Sequence, residues 1–293
     1  METVKTIVAA LDLEAGRDAV LTRAVQLATE HGARLVVVHV VEAPSLAPSP
    51  PERHETDLEA HLTHQAQAAI SALLAEGGSV SADVEVGFGA PHAVITDVAG
   101  TRGADLVVIG PGQYHSLGEK VLGSTADRVV RTSPVPVLVV RDHSAARYRR
   151  VAAAVDFSPQ SAAAAKSALR LVPAARFELV HAFSIPLTFE QAMLRAGTSE
   201  TDMQAYRSAK RASAHKRLSR FVREVFGTET VGTHILDGEP APSLLRLARS
   251  GDIDLLALGP NGRGVILRTL LGSVTQRVLR EAACDVLVAS VPD

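Results

Sequence analysis

The chain has 293 residues, 46% of them hydrophobic and 21% charged, with 21 Gly, 15 Pro and no Trp, a composition of ordinary globular domains and a length for about two of them. Lys and Arg number 30 against 32 Asp and Glu, a formal charge of -2, which excludes a general electrostatic claim on nucleic acid. The single cysteine, Cys284, excludes an intrachain disulfide and any multi-cysteine metal site.

The first strand is predicted over 5–11 and ends at Asp12; a helix near 17–31 follows, closed by Gly32. Strands come next at 34–41, 82–88, 105–110 and 136–141, with helical patterns between them and a Pro-, Ser- and Glu-rich surface excursion at 43–56. Then the pattern recurs. The segment TIVAALDLEAGRDAV at 6–20 matches RVAAAVDFSPQSAAA at 150–164, so that Asp12 and Asp156 are equivalent, 144 residues apart. The pairs ARLVVVHVV at 33–41 with ARFELVHAF at 175–183, and GADLVVIGPGQ at 103–113 with DIDLLALGPNG at 252–262, extend the repeat. LGS at 122–124 and at 271–273 completes it. In the second copy, Ser158 as N-cap and Pro159 at the first helical position start a helix at 159–172, and 184–204 reads as a second surface excursion.

Two domains are therefore expected, at 1–142 and 150–293, joined by a short polar linker. Each is a doubly wound α/β unit with a five-stranded parallel sheet and helices on both faces. Residues 1–145 carry 10 basic and 18 acidic side chains, and residues 146–293 carry 20 and 14, giving -8 and +6. Such opposite signs favour docking of one half on the other, or an anion-binding role for the second. No segment nears the ~20 apolar residues that span a bilayer, and Met1 leads into Thr6 to Leu11 without the pattern of a secretory signal. A cytoplasmic protein is expected.

In such sheets ligands bind beyond the carboxyl ends of the strands. The candidates are Asp12 and Asp156 after the first strands, and the loops 110–124 and 259–273 after the fourth. The second loop has Gly259, two residues, Gly262, nine residues, then Gly272 and Ser273 opening a helix. Glycines admit close backbone approach, and a helix N-terminus offers N–H groups to an anion. Arg263 and Arg268, inside this loop, are placed to meet phosphate, with a solvent-facing position the alternative for Arg268. Neither a Walker A sequence nor a G-x-G-x-x-G after the first strand is present, which argues against P-loop ATPases and ordinary dinucleotide dehydrogenases.

These features resemble the universal stress protein family in a tandem two-domain form, with the adenine nucleotide alpha hydrolase-like fold. The resemblance implies an ATP site built from Asp156, the main chain of Ala182, Gly259, Gly262, Gly272, Ser273 and Val274, with magnesium as an accompanying ion. In the first copy Asp12, Val40, Gly110, Gly123 and Ser124 keep their places, but Gln113 replaces the second glycine and Gly112 stands one residue early. The resemblance further implies that 136–141 and 284–290 pair as an internal pseudo-dimer, with association into a homodimer and a regulatory protein partner beyond it. The expected function is a nucleotide-responsive regulatory module without efficient catalysis, since no general base or dedicated metal ligand is evident. The alternatives are a partner-binding scaffold with vestigial sites and a slow ATPase.

The remaining features read as structural. His39 and His181 fit buried, hydrogen-bonded positions, and His54, His61 and His64 a solvated helix rather than a metal site. Cys284 fits a small buried residue, and the basic run 207–223 a solvated helix, which disfavours membrane or nucleic-acid contact.

Overall fold

The computed structural model describes residues 3–13, 19–42, 53–77, 81–112, 122–141, 146–227, 231–262 and 270–291. In chain order the first half comprises β1 (Thr6–Leu11), α1 (Ala19–His31), β2 (Arg34–Val41), α2 (Arg53–Gly77), β3 (Ala82–Phe88), α3 (Pro91–Thr101), β4 (Leu106–Ile109), α4 (Ser124–Thr132) and β5 (Val137–Val139). The second comprises β6 (Arg150–Ala154), α5 (Pro159–Leu171), β7 (Arg176–Phe183), α6 (Leu187–Arg195), α7 (Glu200–Phe226), β8 (Gly232–Asp237), α8 (Pro240–Arg249), β9 (Leu255–Leu258), α9 (Ser273–Glu281) and β10 (Asp285–Val288).

All ten strands form one sheet in the order β3-β2-β1-β4-β5-β10-β9-β6-β7-β8. Pairing is parallel within each half and antiparallel between β5 and β10, where Leu138 sits opposite Leu287. The central strands are unbroken apolar runs, as expected where both faces are covered. β4, β9 and β10 are buried at every residue. One face packs against α1, α2, α5 and α7, the other against α3, α4, α8 and α9. At the junction, Val137, Leu138, Val139, Val286, Leu287 and Val288 are all buried. Both hydrophobic clusters run across this junction, so the two halves share a core.

Local signals act as the sequence predicts. Gly32 closes α1 in the left-handed region at φ 62°, and the Ala33 N–H returns to the Ala28 carbonyl at 2.9 Å. Ser158 caps α5 by accepting from the Ser161 N–H at 3.2 Å. The repeat also conserves a clamp at the amino ends of the first strands. Asp105 accepts from the N–H groups of Lys5 and Thr6, and Asp254 from those of Arg149 and Arg150.

Two expectations need correction. The excursion at 184–204 is not a loop: it holds α6 and the start of α7. α6 buries none of its residues, so it lacks the apolar stripe by which a helix is recognised, and Ser199 starts α7 by accepting from the Asp202 N–H. Of the excursion at 43–56, residues 43–52 lie outside the described residues, and the chain is helical from Arg53. Among the described residues no helix is long and apolar enough to cross a membrane.

Candidate functional site

At the carboxyl end of β6 the Val155 N–H still bonds to the Val180 carbonyl, and the chain then turns away through Asp156, Phe157 and Ser158. Phe157 has φ 68°, the one non-glycine residue in the left-handed region among the described residues. That conformation costs a bulky side chain about 1–3 kcal/mol and persists only where its surroundings enforce it. Here they do. The Phe157 ring lies 4.4 Å from the His181 ring and 5.7 Å edge-on from Phe221, with the Arg217 guanidinium 4.4 Å above it. His181 Nδ1 meets the Val155 carbonyl at 2.7 Å, and since a carbonyl only accepts, Nδ1 carries the proton. His39 repeats this bond to the Leu11 carbonyl at 3.0 Å, so both histidines are hydrogen-bonded as the sequence suggests, but half-buried rather than buried.

The elbow presents the Asp156 carboxylate. Its Oδ1 accepts from the Ser158 N–H at 3.0 Å and the Ser158 hydroxyl at 2.5 Å. Its Oδ2 faces Gly262, at which a Cβ would stand 2.9 Å away. Gly259 ends β9 against α5, where a Cβ would meet that of Gln160 at 3.0 Å. The carbonyl of Gly259 is held by the buried Thr275 hydroxyl at 2.8 Å. The loop then returns on itself, with the Gly272 N–H donating to the Pro260 carbonyl at 2.8 Å and Gly272 packed on Asn261 and Gly262. A Cβ would thus crowd a helix at Gly259, the Asp156 carboxylate at Gly262 and the loop backbone at Gly272.

Gly272 is the N-cap of α9. Its carbonyl receives the first helical bond from Gln276, so the N–H groups of Ser273, Val274 and Thr275 have no acceptor within the helix. Gly262 and Ser273 are exposed, Val274 half-buried. On the other side of Asp156, strand alternation aims the main chain of Ala182. The Arg176 N–H bonds to β6's side at Arg149, and the Val180 carbonyl to Val155, so the N–H and C=O of Ala182 turn the same way, beyond the end of β6. The structure therefore brings Asp156, Ala182, Gly259, Gly262, Gly272, Ser273 and Val274 to one end of the sheet. Arg263 and Arg268 lie outside the described residues.

The first half builds a different version. Asp12 is exposed, and Val40 has the orientation of Ala182. Gly110 is under no comparable constraint, since a Cβ there would meet only Val20 at an ordinary 3.6 Å. Gly112 is left-handed at φ 93° and a Cβ on it would stand 2.7 Å from the Gly123 Cα, whereas its counterpart Asn261 is not left-handed and instead donates to the Leu270 carbonyl. Gln113 lies outside the described residues. Beyond Gly123 and Ser124, the first turn of α4 carries Asp127, paired with Arg131 at 2.7 Å. The equivalent in α9 is Gln276, and α9 has no acidic residue in its first turn. The Asp127 carboxylate is turned along the helix to Arg131 and gives α4 an acidic group near its start that α9 lacks.

Sequence reasoning missed Phe157, Arg217 and Thr275. Arg217 and Phe221 fall within the basic run 207–223, whose few apolar residues were its only visible signal of packing. Among the described residues no three His, Cys, Asp or Glu side chains converge as metal ligands. What the arrangement can do is hold a polyanion against oriented amides.

Comparison with known proteins agrees with this architecture. A universal stress protein of Mycolicibacterium smegmatis is 28% identical over 292 residues, covering 96% of each chain. One from Mycobacterium tuberculosis is 28% identical over 272 residues, covering 87% of this chain and 86% of its own. The crystal structure of a universal stress protein from Archaeoglobus fulgidus superposes with a TM-score of 0.67 at 19% identity, over 97% of this chain and 98% of that one, a likeness of fold. The model of the universal stress protein family matches twice, over residues 3–141 and 147–290, and the chain belongs to that family as a tandem of two of its domains.

Proposed function

We propose that this protein binds ATP at the carboxyl end of the sheet in its second domain, 150–293, and acts in the cytoplasm as a nucleotide-responsive regulatory module without efficient turnover. The observation that carries the reading is the contact of Gly262 with Asp156 beside the open N-terminus of α9. A cradle that a single Cβ would fill joins a nucleoside-facing carboxylate to a set of phosphate-facing amides. In this reading the Ala182 main chain reads the adenine edge and Asp156 the ribose. Gly262, Arg263, Gly272, Ser273 and Val274 hold the phosphates, with Gly259 seating the loop on α5.

Charge-assisted hydrogen bonds from several such donors, about 1.5–3 kcal/mol each, support micromolar affinity after ordering losses. Magnesium would be held chiefly by the triphosphate, because no cluster of three ligands converges among the described residues. The first domain, with Asp12, Val40, Gly110, Gly112, Gly123 and Ser124, is a weaker site in this reading, its α4 carrying the acidic Asp127 in the first turn where α9 has Gln276.

Calorimetric titration with ATP tests the proposal. Wild-type protein takes up one nucleotide per chain tightly, Gly262→Val abolishes that event, and Gln113→Gly does not weaken it. Equal binding by wild-type and Gly262→Val protein overturns the site, and several phosphates released per minute at saturating ATP overturn the non-catalytic reading.

A further inference from the structure

Nested hydrogen bonds tie the neck of the loop between β9 and α9. The Thr275 hydroxyl donates to the Gly259 carbonyl at 2.8 Å, the Gly272 N–H to the Pro260 carbonyl at 2.8 Å, and the Asn261 side-chain amide to the Leu270 carbonyl at 3.3 Å. Gly259, Pro260, Asn261 and Thr275 are buried, whereas Gly262 and Ser273 beside them are exposed. The inner and outer bonds each depend on a side chain.

The repeat supplies an internal control. In the first half Ala126 stands for Thr275 and Gly112 for Asn261, and neither has a side-chain donor. The middle bond is kept, from the Gly123 N–H to the Pro111 carbonyl at 2.7 Å. Gly112 is left-handed at φ 93°, where Asn261 is not. The two loops thus share the glycines at 110 and 259 and at 123 and 272, but not their fastening.

We propose that Thr275 and Asn261 are positioning residues of the second-domain cradle, holding the loop neck closed so that its amides stand in place before a ligand arrives. This rests on the reading of that cradle as a nucleotide site. Thr275 serves twice. Its N–H is one of the open amides at the start of α9, while its hydroxyl anchors that turn of the helix to the end of β9. Asn261 directly precedes Gly262, so its bond to the Leu270 carbonyl fixes the backbone that runs beside Asp156. Donors ordered in the free protein lose little conformational freedom on binding, whereas a slack loop has to be ordered by the ligand at the expense of affinity. Removing the hydroxyl also takes that donor from a buried carbonyl, which is costly.

The test compares Thr275→Val, which keeps the shape and removes the hydroxyl, with Thr275→Ser, which keeps the hydroxyl, and adds Asn261→Ala at the outer bond. Amide hydrogen exchange of the free, full-length protein reads the middle bond at the Gly272 N–H. Exchange there is expected to rise about tenfold or more in Thr275→Val and Asn261→Ala and to be largely restored in Thr275→Ser, with the core N–H groups of Ala153 and Leu256 unchanged. ATP affinity, measured by calorimetry, is expected to fall about tenfold in the same two variants and to be largely recovered in Thr275→Ser. Unchanged Gly272 exchange in either Thr275→Val or Asn261→Ala overturns the proposal, as does an equal rise at Gly272 and in the core, the mark of general loosening. Where wild-type protein binds ATP, equal affinity in both variants overturns it as well. A wild-type protein that binds no ATP overturns the nucleotide reading alone, and the exchange pattern then decides for Thr275 and Asn261. If Thr275→Val fails to fold, Asn261→Ala carries both readouts.

Discussion

Gly262 stands so close to Asp156 that a methyl group added to it would lie 2.9 Å from the carboxylate Oδ2. A side chain at this position is opposed by that carboxylate rather than by backbone conformation, because Gly262 is not left-handed. Gly262→Ala is therefore expected to destabilise the wild-type fold by about 1 kcal/mol, and by much less in an Asp156→Ala background, where the obstruction is gone. Urea unfolding of the four proteins gives the coupling; additive effects would mean that the two residues do not touch.

Phe157 inverts a familiar order of stabilities. Its φ of 68° suits glycine, while its ring is held among His181, Phe221 and Arg217. Both Phe157→Ala and Phe157→Gly lose the ring, but only alanine retains the backbone strain. Glycine is expected to be the milder substitution by about 1 kcal/mol, against the usual advantage of alanine, and thermal melts of the two variants check it.

Acid should attack the amino ends of β1 and β6. Burial by itself raises the Asp105 carboxyl, but the N–H groups of Lys5 and Thr6 and the Arg170 guanidinium outweigh it and hold the group below its ordinary 3.8. Burial likewise raises Asp254, and the N–H groups of Arg149 and Arg150 with the Arg150 guanidinium bring it below. A depressed carboxyl stabilises the fold above its unfolded value, and that contribution is lost as pH falls through the folded one. The melting temperature is expected to hold down to about pH 4 and to drop below it. A protein with both Asp105→Asn and Asp254→Asn should melt lower at neutral pH and lose less on acidification.

Cys284 should be inert while the protein is folded. Burial, followed by the neighbouring Asp285 charge, pushes its thiol up to about 12, which leaves almost no thiolate near neutrality. A thiol reagent at pH 8, about the ordinary thiol value, is expected to label denatured protein fully and native protein negligibly on the same timescale. Rapid native labelling would place the sulfur at the surface.

Much of this architecture is legible in the residues. Apolar runs such as Val36, Val37 and Val38 mark the buried strands to within a residue or two, and the recurrence of Asp12 as Asp156 announces the tandem. The glycine spacing after β9 identifies the loop that the structure brings to Asp156. What stays hidden depends on contacts between distant segments. Nothing local to Phe157 signals a left-handed backbone, because the enforcement comes from rings 24 and 64 positions away. α6 escaped notice since it packs no stripe on the sheet.

The reversal of strand direction between β5 and β10 separates the two clefts by the width of the molecule. Ligands sit at the tips where strands finish, and in this sheet the tips of one half point opposite to those of the other. The two mouths open on opposed rims, roughly 20 Å apart along the strands alone, farther than one nucleotide spans. The two rims are joined through the core that the halves share, in which Leu138 and Leu287 face each other.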